Sequence, residues 1–205
     1  GVAVFGLVAI ISSIFTTVIV DYGIGGMKIT IAPWEIIAAI LLTLILINKW
    51  TIGFLSRFNA RTLCIFALVY GFFVSLTWIL IANVDTMWDS RDLVDAAYLL
   101  NGTPTVNSAS KWSSGGYIEH FPYQTPVVFL IFLCLKLTGS NYLVAYQIMN
   151  CLAVGVIMCT LVYISNHYFH NKRTTVISFL LTVMFLPIVF YSTFIYGDLI
   201  GFALL

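Results

Sequence analysis

Residues 125–138, TPVVFLIFLCLKLT, decide how the chain is organised. They form an apolar run that opens at Pro126 and carries Lys136, and it is only about two thirds as long as the roughly 20 residues a membrane-crossing helix needs. A run of that length suits a helix lying in the interface or re-entering from one side. Outward from it, 142–165 and 62–83 are long enough to cross, as are 174–192, 33–48 and 1–20, and a further run begins near Asp198. The chain opens inside one apolar run at Gly1 and stops inside another at Leu205, so it reads as a piece of something longer. The first run lacks a basic n-region and an A-x-A site, which disfavours a signal peptide.

Composition agrees with a membrane protein. Of 205 residues, 61% are apolar and 8% charged, against about 25% charged in soluble domains. Nine Lys and Arg oppose eight Asp and Glu, for a net charge of +1, which leaves no basic surplus to hold a nucleic-acid backbone. Cys64, Cys134, Cys151 and Cys159 sit in apolar runs without CxxC or Cys/His ligand spacing, so they read as small core residues and not as a disulfide framework or zinc site.

Lys and Arg set the orientation. Segment 48–61 holds Lys49, Arg57 and Arg61, and segment 166–173 holds Lys172 and Arg173, with no acid in either. Both are expected on the cytoplasmic side. Residues 84–124 carry Asp85, Asp89, Asp92, Asp95 and Glu119 against Arg91 and Lys111, and are expected outside. These assignments agree if 125–138 does not cross and 142–165 returns inward. The alternative is that 125–138 crosses as a short helix and the second basic turn lies outside. In the first arrangement all eight acids, including Asp21, Glu35 and Asp198, fall on the outer side. The expected fold class is therefore all-α, a polytopic transmembrane helix bundle whose outer loop, about 84–140, carries interfacial amphipathic helices.

Within that loop, 85–101 reads as an amphipathic helix with Asp85, Asp89, Asp92 and Asp95 on one stripe and Leu93, Val94, Ala97 and Leu100 opposite. Gly102 and Pro104 end it. Carboxylates so spaced repel unless water, a cation or a substrate separates them. Asn101-Gly-Thr103 matches a glycosylation sequon, a short pattern relevant only in a eukaryotic secretory compartment. YIEHFPYQTP at 117–126 gathers Tyr117, Glu119, His120, Phe121, Tyr123 and Gln124. The aromatics suit an interfacial belt, whereas Glu119, His120 and Gln124 are not needed for one. His167 and His170 have a spacing that a metal could use, but a solvated helix end explains them as well. Glu35 suits a helix start behind Pro33, and Pro187 predicts a kink in 174–192.

The order of these features resembles the N-terminal half of GT-C superfamily glycosyltransferases, the integral-membrane enzymes that include protein O-mannosyltransferases and aminoarabinose transferases. The residues that carry the resemblance are Asp89 in WDSRDLVDAAYLLNG (88–102), FPYQTP (121–126), KLTGSNYLVAYQIMN (136–150), NHYFHNKR (166–173) and FIYGDL (194–199). It covers roughly 62–205, with 1–61 as two extra N-terminal transmembrane helices joined to a basic loop. Such relatives often have Asp-Glu where Asp89-Ser90 stands, which leaves Asp85 and Asp92 as alternative bases, and Thr125-Pro126 replaces a pair that often brings a cation. The resemblance implies transfer of a sugar from a polyprenyl-phosphate donor to a lipid, glycan or protein acceptor, at the outer face of a bacterial plasma membrane. Asp89 and Asp198 would be catalytic, with Arg91, Asp92, His120, Tyr123 and Gln124 binding substrate and Lys111 nearby in the loop. Asp89 and Asp198 would jointly hold a divalent metal ion, should the reaction use one. A transporter or lipid flippase, and a non-catalytic assembly subunit, are the competing classes. Working carboxylates of a coupled transporter are expected near the midplane.

Overall fold

The computed structural model describes residues 17–21, 26–30, 48–82 and 89–205. The chain divides into two compact units, Gly1–Gly53 and Phe54–Leu205. In the first, β1 (Thr17–Asp21) pairs antiparallel with β2 (Gly26–Thr30), Thr17 opposite Thr30 and Asp21 opposite Gly26. This corrects the end of the span expected at 1–20. Thr17, Val18, Ile19 and Val20 are all β-branched, a run that favours a pleated strand over a helix. Residues 1–16, most of the span at 33–48, and both Glu35 and Asp85 lie outside the described residues.

The unit Phe54–Leu205 is helical among its described residues. After α1 (Lys49–Leu55), which begins in the first unit, come α2 (Ala60–Ala82), α3 (Asp89–Leu100), α4 (Ser108–Trp112), α5 (Tyr117–His120), α6 (Thr125–Thr138), α7 (Tyr142–Phe169), α8 (Lys172–Met184), α9 (Leu186–Phe190) and α10 (Asp198–Leu204). The α2 helix and the run Pro122–Phe169 are long and apolar enough to cross a membrane. The second of these is not one straight rod. Cys134 Sγ lies 3.9 Å from Met149 Sδ, whereas 15 residues of continuous helix would set them about 22 Å apart along the axis. The chain reverses at Gly139, whose φ of 58° is glycine territory, so α6 folds back onto α7 as a separate short helix.

The two long helices run in opposite directions. Cys64 and Gly71 of α2 meet Cys159 and Gly155 of α7, so the two run antiparallel. A Cβ on Gly155 would stand 2.7 Å from the Leu68 carbonyl oxygen, and one on Gly71 2.9 Å from the Gly155 Cα. Small residues at both positions let the two backbones touch, the way lipid-embedded helices gain packing where no hydrophobic force separates helix from lipid. At the far end of α7, His170 takes a left-handed conformation and Asn171 caps α8 through the Arg173 N–H at 2.9 Å. The α8 and α9 helices then form a pair bent by 44°. The bend sits where Pro187 lacks an N–H and crowds the preceding turn, as the sequence predicts.

The segment between α9 and α10 is tied down by α7. Buried Asn150 donates through Nδ2 to the carbonyls of Ser192 at 3.0 Å and Phe194 at 2.8 Å, and the Tyr146 hydroxyl donates to the Tyr196 carbonyl at 3.0 Å. Both residues are fully buried. Asn150→Leu keeps the volume but strips two carbonyls of their donor. The expected cost is about 1–2 kcal/mol, read as a lower unfolding temperature in detergent.

Candidate functional site

The α3 helix starts where a carboxylate is favourable. Asp89 and Asp92 occupy its first turn, where negative charge offsets the exposed N–H groups and the positive end of the helix dipole. Leu93, Val94, Ala96 and Ala97 are buried against a core that includes Val128, Ile131 and Cys134 of α6 and Tyr146 of α7. The helix ends at Gly102, with φ of 75°, as expected.

The four-carboxylate stripe does not face solvent as a whole. Asp95 is buried and accepts a hydrogen bond of 2.9 Å from the Thr105 hydroxyl. The loop after α3 folds over that face, and Trp112 pins it by donating from Nε1 to the Ala96 carbonyl at 3.0 Å. Asp92 is half-buried and ion-paired with Lys111 at 2.6 Å. Asp89 alone of the three described carboxylates is exposed.

Asp198 approaches from the other end of the chain. It opens α10 and accepts a hydrogen bond of 2.9 Å from the Tyr191 hydroxyl. Tyr196 lies near both carboxylates, and its phenol feels the charge of Asp89 and of Asp198. Burial first, then these carboxylates, push the Tyr196 phenol up from its ordinary range. Tyr117 is pushed up to about 12, again by burial and next by Asp89, with smaller effects from Tyr196, Tyr123 and Asp92. Both phenols therefore stay protonated at neutral pH, as neutral O–H groups within the field of Asp89. Tyr196→Phe removes a neutral O–H close to Asp89 and so changes the field at that carboxylate. It is expected to lower any Asp89-dependent turnover about tenfold, the equivalent of roughly one pKa unit at the base, with the melting temperature little changed because the backbone tie to Tyr146 remains.

The other expected site residues are placed less closely. Arg91 is exposed, and among the described residues no carboxylate pairs with it. The His120 ring packs edge-on against Phe121 at 6.5 Å and is exposed. Tyr123 is exposed, 6.1 Å from Phe121, and contributes to the field at Tyr117. Gln124 is half-buried at the start of α6. Glu119 caps the turn before it by accepting from the Gly115 N–H, a structural duty. His167 and His170 lie 6.1 Å apart by ring centroid, both exposed. Among the described residues no three His, Cys, Asp or Glu side chains converge.

Tyr196 and Tyr191 were not singled out by the sequence. The signal was present in FIYGDL, where an aromatic stands two residues before Asp198, but nothing local says that Tyr196 reaches back to α3. No family model, curated protein or solved structure matches the chain.

Proposed function

We propose that this chain is part of an integral membrane glycosyltransferase that moves a sugar from a polyprenyl-phosphate donor to a hydroxyl acceptor at the outer membrane face. The observation that supports this reading most is the convergence of Asp89 and Asp198 on Tyr196, from opposite ends of the helical unit's sequence. Two crossing helices are long and apolar enough, and the bent α8–α9 pair makes a third, giving a multi-pass bundle. The basic turns lie at one end, on the cytoplasmic side, and the paired carboxylates at the other, in a bacterial plasma membrane. The α6 helix rests in the outer interface beside them.

The chemistry follows from the residues. Asp89, exposed and beside an open face, takes the proton of the acceptor hydroxyl as general base. The acceptor oxygen bonds to the anomeric carbon while the bond from that carbon to the phosphate oxygen breaks, and the polyprenyl phosphate leaves. Arg91 and Lys111, with His120, Tyr123 and Gln124 along the rim, supply the cationic and neutral donors for the phosphate and sugar. Asp92 holds Lys111 in place, and Asp198 orients the acceptor. Asp89 and Asp198 are oxygen donors suited to a hard divalent ion that keeps several waters, and such an ion would neutralise charge on the leaving phosphate. A transporter would place its working carboxylates near the midplane, and the clustering at one end favours transfer. The test is transfer of labelled sugar in membranes carrying the full-length protein, comparing wild type with Asp89→Asn at matched expression.

A further inference from the structure

At the end of the helical unit opposite the carboxylates there is a pocket whose wall is mostly apolar and carries four polar side chains. A cavity of about 440 Å3 opens between the first turns of α2 and the last turns of α7, lined by Arg61, Thr160, Tyr163 and Asn166 around Cys64 and Cys159. Its polar groups are mostly donors. Arg61 brings a guanidinium fork, and Thr160 and Tyr163 bring hydroxyls. Asn166 adds a side-chain amide with two N–H donors, and its Oδ1 lies 3.4 Å from a Thr175 hydroxyl that also has the Asn171 carbonyl at 3.0 Å. The start of α2 is satisfied by its own cap, since Asn59 Oδ1 accepts from the Thr62 N–H and hydroxyl at 2.8 Å. The pocket's donor set is thus made by side chains.

Among the described residues no carboxylate pairs with this charge. Segments 48–61 and 166–173 contain no acid, and among the described residues the one ion pair is Lys111 with Asp92, in the outer loop. Among the described residues, Arg57, Arg61, Lys172 and Arg173 thus have no acidic partner at this end. The cavity has the volume of a small-molecule site, far more than one inorganic anion fills. Leu68 and Val156, about one turn deeper on each helix, stay exposed, so an apolar surface continues from the pocket toward the bilayer interior. Basic pockets between transmembrane helices on the cytoplasmic side are suited to anionic head groups.

We propose that this pocket holds the head group of an anionic phospholipid from the cytoplasmic leaflet, its phosphate on Arg61 and its chains along the apolar faces of α2 and α7. The proposal rests on the membrane-spanning reading but not on glycosyl transfer, and failure of the sugar-transfer assay leaves it standing. The test is native mass spectrometry of the full-length protein in non-ionic detergent with phosphatidylglycerol, phosphatidylcholine or inorganic phosphate. Wild type should retain phosphatidylglycerol about tenfold better than phosphatidylcholine, and Arg61→Gln should lose about tenfold of that retention, the loss of one charge-assisted contact. Arg61→Lys should fall between, because it keeps the charge and loses the planar fork. Tyr163→Phe, which preserves packing, should lose less than Arg61→Gln. Equal retention of the two lipids by wild type, or undiminished retention by Arg61→Gln, overturns the proposal. Displacement of phosphatidylglycerol by an equal concentration of inorganic phosphate overturns it too, and points to a soluble phosphate compound instead.

Discussion

Asp89→Asn is expected to lower sugar transfer by about 10²–10⁴, the contribution of a positioned general base, while the protein remains folded. Asparagine keeps the shape and can still sit at the start of α3. What α3 loses is a charge–dipole interaction of about 0.3–1 kcal/mol, too small to undo a helix anchored by Leu93, Val94, Ala96 and Ala97. The amide cannot take a proton from the acceptor at neutral pH. Loss of transfer with an unchanged melting temperature supports Asp89 as base. Full transfer by the variant moves the base to Asp85, Asp92 or Asp198. Absence of transfer by the wild type across several polyprenyl-phosphate sugars favours the transport reading, and an assembly subunit would tolerate the substitution in every assay.

Gly155→Val should be the most damaging substitution in the helical core. The first added carbon already meets the Leu68 carbonyl oxygen at 2.7 Å, and a backbone atom cannot swing aside like the end of a side chain. The α2 and α7 helices must part, losing contact along the seam that includes Leu63, Ala67, Val154 and Met158. The expected cost is about 3 kcal/mol, the upper end for overpacking a tight interior, read as a marked fall in unfolding temperature in detergent. Gly201→Ala is the matched control. Nothing lies within 4 Å of a Cβ there, on α10, and alanine is the better helix former, so stability should hold or rise slightly.

The parts of this fold visible in the sequence are those that depend on length and local chemistry. The short run at 125–138 and the bend at Pro187 both follow from counting apolar residues and finding one missing N–H. The breaking points of α3 and α6 follow from Gly102 and Gly139. What local pattern could not give is which face of a helix another segment covers. Asp95 shares its periodicity with Asp89, yet it is buried because Trp112 draws the following loop across it. Thr17 to Val20 look apolar enough to end a span, yet their β-branching suits the strand they form. Within the candidate site, Asp89 and Asp198 could be picked out by their positions after apolar runs. Tyr117 stands out in the aromatic group at 117–126, but that it and Tyr196 lie near Asp89 depends on distant segments meeting.

The glycine contact between α2 and α7 also sets an order of events during synthesis. For a chain inserted as proposed, α2 leaves the ribosome long before its partner, because the whole outer loop and α6 must be translated first. At about 5–20 residues per second, α2 stays unpartnered in the bilayer for several seconds, with the smooth strip around Gly71 open to lipid or to any neighbouring helix with a small residue to match. The nascent protein is therefore most open to wrong pairing before α7 arrives, and whatever shelters α2 during that interval has to release it to Gly155.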